Sequence, residues 1–246
     1  MQQRIGRAEL RMLALAFVAA LVVYLIPFTR FVLSALVTLF HEFGHAVMGW
    51  ALGHPSLPAF DLVYGGGFTH QGTFKLPLAL VVAALIGYVA YLNRENRKWL
   101  TFVIVVALLW LLFVTREWRR ELAIAAAGHL FEFILAGVML YKSITGEGWR
   151  NPDLERPLGA FVAFFVQIHS MHFAWKLIND PDFLAWYREG KGGALMNDLE
   201  VVALDLRIWL GIEMSIEGVA KALLFFSIVP AFIAIWRAMT KEEEVF

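Results

Sequence analysis

A helix needs about 20 mostly apolar residues to cross a bilayer. This 246-residue chain repeats such a run six or seven times, over residues 12–28, 31–52, 76–92, 99–115, 123–141, 157–177 and 216–236. Inside lipid every backbone polar group must be satisfied internally, so only helices or closed barrels span. Runs of this length predict helices. The expected fold is an all-α polytopic membrane protein, with residues 1–246 forming a single membrane-embedded domain. Runs 76–92 and 99–115 are short and read as a hairpin. Arg4, Arg7 and Arg11 precede the first run, but no small-x-small cleavage site follows it. It therefore reads as a retained span with its N-terminus inside, not a signal peptide.

Composition excludes the main alternatives. Hydrophobic residues make up 60% of the chain and charged residues 17%, against ~45–50% and ~25% in an average soluble domain. Disorder needs the opposite balance. Lys plus Arg and Asp plus Glu are 21 each, so nothing suggests a nucleic-acid partner. There is no Cys, so any transition metal must be held by His and carboxylates.

The connectors at 93–98 (NRENRK) and 116–120 (REWRR) are charged turns. Residues 143–156 and 179–193 read as longer polar loops, the second holding Pro181 and the pair Gly192–Gly193. Residues 194–210 read as an amphipathic segment, and the tail 241–246 as a frayed end. Residues 54–75, HPSLPAFDLVYGGGFTHQGTFK, break the helical pattern. Two prolines, the run Gly65–Gly67 and alternating β-branched or aromatic residues predict short strands joined by a turn. Non-helical backbone at membrane depth is tolerated where it lines a wet cavity or is buried in protein.

Within the second run stands His41-Glu42-Phe43-Gly44-His45, the pattern H-E-x-x-H. On a helix, positions i and i+4 share a face, so both imidazoles can grip one Zn²⁺. Glu42 then stands where a general base for a zinc-activated water is needed. Charged types inside a span cost roughly 2.5–3.5 kcal/mol each on the insertion scale. Three ionisable residues within five positions need a compensating partner, and a metal supplies one.

An intramembrane H-E-x-G-H followed by a Gly/Pro-containing β-like segment resembles the site-2-protease family of intramembrane zinc metalloproteases. The resemblance is best over residues 36–73. A second match is AAAGHLFEFILA at 125–136, similar to the family's A-G-P-x-x-N stretch. Gly128 matches its glycine, while His129 replaces the usual proline and Glu132 the usual asparagine. The family's third metal ligand is an aspartate, and the resemblance points to Asp198 in Met196-Asn197-Asp198-Leu199, although the usual following glycine is absent. Glu132 is the alternative, favoured by its depth in the span. If Asp198 binds the metal, Glu132 is expected to support a ligand imidazole or the substrate carbonyl. Asn151-Pro152-Asp153-Leu154 resembles another form of the aspartate motif, but it sits in a charged loop and reads as coincidence.

The remaining polar residues have plainer readings. His129 shares a face with Glu132 and is expected either to bond a neighbouring carbonyl or to support the site. Gln167, His169 and His172 are expected to bond across helices. His169 and His172, at i and i+3, are also a possible second metal pair. Asp205 is expected to be solvated or salt-bridged, and His54 to cap the C-terminus of the motif helix. His70 is expected in a loop near the cavity mouth. Trp99, Trp118, Trp149, Trp175, Trp186 and Trp236 fall near span ends, as an interfacial belt does. Gly44, Gly49, Gly53 and Gly87 would permit close helix contact.

The resemblance implies a membrane zinc metalloprotease that cuts a membrane-protein or peptide substrate in or beside the bilayer, with no soluble regulatory insert. The alternative is a non-proteolytic metal-binding membrane protein: a small-molecule hydrolase, an oxidase using two metals, or a regulator. A transporter is disfavoured by the lack of inverted repeats.

Overall fold

The computed structural model describes residues 6–60, 66–189 and 196–240. Gly65, the pair Gly192–Gly193 and the tail 241–246, all singled out in the sequence, lie outside the described residues. The described chain runs α1 (Arg7–Leu25), α2 (Pro27–Ala51), β1 (Ser56–Phe60), β2 (Gly67–Gln71), α3 (Leu76–Leu92), α4 (Arg97–Val114) and α5 (Glu117–Thr145). It continues through α6 (Pro152–Asn179), α7 (Pro181–Glu189), α8 (Asp198–Leu210) and α9 (Ile216–Thr240). Six helices, α1, α2, α4, α5, α6 and α9, are long and apolar enough to cross a membrane, and α3 is a shorter apolar helix. The expected all-α polytopic fold is what is observed.

Helix α5 is the hub, packing against α2, α6, α8 and α9. Its small residues allow this. A Cβ on Gly137 would stand 2.7 Å from Pro230 Cβ of α9, and one on Gly44 of α2 would stand 2.6 Å from Ala127 O of α5. Small residues replace the hydrophobic drive that lipid does not supply between helices. One core cluster joins α1, α2, α5, α6 and α9 around Tyr24, Leu140 and Phe165. A second joins α5 to α9 around Phe133, Leu177 and Leu199. The α3–α4 hairpin lies outside both, with Ala79 and Val103 among its few buried residues. Apolar all round and mostly exposed, it presents itself to lipid.

Several boundaries differ from expectation. Residues 143–156 are not one loop: α5 runs to Thr145, Gly146 ends it at φ 74°, and Pro152 starts α6. Glycine tolerates that left-handed cap, and proline suits a first helical turn. The loop expected at 179–193 contains α7. Pro181 opens it, and the Asp180 carboxylate accepts the Phe183 N–H at 3.0 Å. That hydrogen bond holds the Asp180 carboxyl below the usual carboxylate range, helped by Lys176.

The expected strands form an antiparallel pair, with Ser56 opposite Gln71 and Phe60 opposite Gly67. Trp50 Nε1 donates to Ser56 O at 2.7 Å, which ties the hairpin to α2. Gly53, at φ 88°, makes the turn that leaves α2. Gly87 meets nothing within 4 Å of an added Cβ, so it is not a close helix contact. Trp99, Trp175, Trp186 and Trp236 are exposed, as a belt requires. Trp118 instead stacks on Trp209 at 5.6 Å, and Lys142 lies over the Trp149 ring.

Candidate metal centre

His41 and His45 stand one turn apart on α2, and their Nε2 atoms are 2.9 Å from each other. Asp198 Oδ2 lies 2.8 Å from His41 Nε2 and 3.2 Å from His45 Nε2. Asp198 is the first residue of α8, and that helix start is tightly held. The Asn197 N–H donates to Glu200 Oε2 at 2.7 Å in a capping box. The Asn197 amide donates to Tyr187 O, and the Leu199 N–H to Tyr187 Oη at 3.3 Å. Helix α7, absent from the sequence reading, thus anchors the residue that reaches the two imidazoles.

The outer nitrogens determine what the inner ones can do. His45 Nδ1 lies 2.6 Å from Ile124 O, and His41 Nδ1 lies 2.7 Å from Glu132 Oε1. A carbonyl and a carboxylate only accept, so each Nδ1 carries a proton. The two Nε2 atoms then face each other and one carboxylate oxygen. Two imidazole nitrogens and a carboxylate oxygen converge within 3.2 Å of one another, a donor set that fits a divalent cation. Around a tetrahedral ion with ~2.0–2.2 Å bonds the ligand atoms stand about 3.3–3.6 Å apart. The observed spacings are within about half an ångström of that.

Gly128 makes room for this. A Cβ there would stand 2.5 Å from His41 Cε1 and 2.6 Å from His45 Nε2. Behind His41 lies a second group, His129 with Glu132. Glu132 is buried, accepts from Ser170 Oγ, and lies 3.4 Å from His129 Nδ1. His129 stacks on Phe173 at 5.3 Å. Both carboxylates therefore flank His41, but on opposite nitrogens: Asp198 at Nε2 and Glu132 at Nδ1.

Glu42 is buried beneath the hairpin. Thr69 Oγ1 of β2 donates to Glu42 Oε2 at 2.7 Å. A Cβ on Gly67 would stand 2.6 Å from Glu42 Cγ, so the strand can lie on this carboxylate because Gly67 has no side chain. A cavity of about 380 Å³ opens on one side, lined by His41, Glu42, His129, Glu132, Trp186 and Asp198. Another of about 490 Å³ opens on the hairpin side, lined by Glu42, His45, Thr69, His70, Glu121 and Asp198. Glu42 and Asp198 border both.

His70, expected in a loop, lies in β2 and lines the hairpin-side cavity. Gln167 Nε2 donates to Ser227 O at 2.6 Å, and His172 Nδ1 is 2.6 Å from Tyr24 Oη; both are cross-helix bonds. No metal-sized group among the described residues includes His169 or His172. Asp153 is exposed in the first turn of α6 and belongs to neither cluster.

Two readings are corrected. His54 caps α2 through its backbone and not through its ring. Its backbone N–H bonds Gly49 O at 2.8 Å, while its ring bridges Gly72 O and the Arg120 guanidinium. Both ring nitrogens are taken, by Gly72 and Arg120, so the ring bonds no α2 carbonyl. Asp205 is buried, and among the described residues it makes no ion pair and its Oδ2 has no hydrogen-bond partner. Ser170, Thr69 and Tyr187 were missed. Lone hydroxyls in apolar surroundings were the available signal, but nothing local tied them to His41 or Glu42.

A multi-pass bundle with a His and carboxylate cluster buried between its helices defines a membrane-embedded metalloprotein. The chain belongs to the Peptidase M50B-like family, the site-2-protease family of membrane metallopeptidases, whose sequence profile matches residues 14–182. That match spans His41, Glu42, His45, His129 and Glu132, and ends before Asp198. No curated protein and no solved structure matches the chain. It is an integral, multi-pass membrane protein.

Proposed function

We propose that the protein is an intramembrane zinc metalloendopeptidase, with His41, His45 and Asp198 as metal ligands and Glu42 as general base. The observation that carries this reading is the convergence of two imidazole nitrogens and a carboxylate oxygen beside a buried glutamate that borders two cavities. Zinc held there supplies a Lewis acid that makes water nucleophilic near neutral pH and polarises the scissile carbonyl.

The residues of the chain do the rest. Thr69 occupies Glu42 Oε2, and no donor among the described residues engages Oε1. Oε1 takes the proton from the attacking water and delivers it to the departing amine. Glu132 holds His41 with its Nδ1 protonated, and Ser170 holds Glu132. The hairpin β1–β2 receives an unwound substrate segment as an added strand, which brings a peptide bond past Glu42 from one cavity towards the other.

The test is elemental analysis of purified protein together with cleavage of a membrane-peptide substrate. About one zinc per chain, lost in His41→Ala, and cleavage lost in Glu42→Gln support the reading. A second reading, oxidase chemistry, draws on the His41, His129 and Glu132 group. Two irons per chain would replace the protease with that reading.

A further inference from the structure

A third cavity, of about 470 Å³, lies where the end of α1 and the start of α2 meet the end of α6 and the start of α7. Its polar wall is cationic. Arg30, half-buried in the first turns of α2, stands over the Tyr24 ring at 5.5 Å. No carboxylate among the described residues pairs with it. Lys176 lies across the cavity wall, 3.5 Å from Asp180 and 4.1 Å from the Phe183 ring centroid. The Asp180 carboxylate also serves the Phe183 N–H, so it offsets Lys176 and leaves Arg30 uncompensated. His172 completes the set. Its Nδ1 lies 2.6 Å from the Tyr24 hydroxyl, and no group among the described residues engages Nε2.

The cavity is amphipathic and sits at helix ends. Leu25, Ile26, Phe28 and Phe31, at the α1–α2 junction beside Arg30, are all exposed. Exposed apolar residues next to an unpaired guanidinium and a second cation fit the boundary between acyl chains and headgroups. An unpaired guanidinium at that depth suits a lipid phosphate, which it meets with paired, charge-assisted hydrogen bonds. The cavity also shares His169 and Phe173 with the cavity at the metal centre, so whatever fills it leans on the wall of that site.

We infer that Arg30, His172 and Lys176 form a binding site for the phosphate headgroup of an anionic phospholipid. The acyl chains run over Phe28 and Phe31, and the headgroup braces Phe173 behind the metal centre. Arg30 makes the paired contact to phosphate oxygens that a guanidinium favours, and Lys176 and His172 Nε2 add single donors.

The test uses the full chain in nanodiscs of phosphatidylcholine with or without phosphatidylglycerol, followed by native mass spectrometry of the released protein. The expected result is preferential retention of phosphatidylglycerol. Arg30→Gln and Lys176→Gln should each weaken it about five-fold, and Arg30→Lys should keep part of it. Unchanged thermal unfolding of the variants separates this from misfolding. Equal retention of the two lipids by the wild type overturns the site. So does unchanged selectivity in the Arg30→Gln, Lys176→Gln double variant. If millimolar inorganic phosphate displaces the lipid fully, the site takes free anions and the lipid assignment is wrong. If the variants raise KM for an acidic peptide and leave lipid retention alone, the cavity serves substrate instead.

Discussion

His41 Nδ1 lies 2.7 Å from Glu132 Oε1, on the side of the ring opposite Asp198. This contact holds the Nδ1 side of His41 and so keeps Nε2 facing Asp198 and His45. Partners of this kind are worth 10–100-fold in metal affinity. Glu132→Ala is expected to weaken zinc binding by about that factor, with Glu132→Gln, which keeps an acceptor, closer to wild type. Competition with a zinc chelator measures it, and affinity unchanged in Glu132→Ala would remove the role.

Glu42→Gln is expected to keep full metal content and lose cleavage. A positioned general base contributes about 10²–10⁴-fold. Metal analysis beside a single-turnover assay checks both halves.

Thr69→Val keeps the side-chain shape but removes the hydroxyl that engages Glu42 Oε2. A hydrogen bond to a charged group is worth about 1.5–3 kcal/mol, so kcat is expected to fall roughly ten-fold or more with metal content unchanged. A fall in metal content instead would show that β2 supports the ligands and not the base.

Gly128→Ala drives a Cβ into both imidazoles, whereas Gly87→Ala meets nothing. The first is expected to cost about 1–3 kcal/mol through overpacking and to weaken the metal site. The second is expected to be neutral or mildly stabilising, since alanine is the better helix former. Thermal unfolding of the pair in one detergent gives the comparison.

Burial of Asp205 raises its carboxyl above the ordinary range. Folding therefore opposes its charged form, a penalty present at neutral pH and absent once the group is protonated. Asp205→Asn is expected to stabilise the protein near pH 7, with the gain shrinking as pH falls towards about 4. Unfolding temperatures across that range test the sign.

The membrane fold, the His41-Glu42-His45 pattern and the β-like insert were legible because each is local. Apolar runs, an i and i+4 spacing and Gly/Pro punctuation are read within a few turns of chain. Helix α7 escaped notice because nine residues with mixed polarity carry little periodicity, although Asp180-Pro181 was a start signal. His54 and Asp205 were misread for a different reason. Their partners, Arg120 for one and a buried face for the other, come from elsewhere in the bundle.

Sequence alone determined that this chain enters the membrane and presents two imidazoles and a glutamate on one helix. It left two carboxylates, Glu132 and Asp198, in competition for the third place. Only the tertiary structure assigned them to opposite nitrogens of His41, from 91 and 157 residues away. The packing of α5 at Gly128 and the capped start of α8 made that assignment. Separations of that length are set by how helices pack, and no local pattern encodes them.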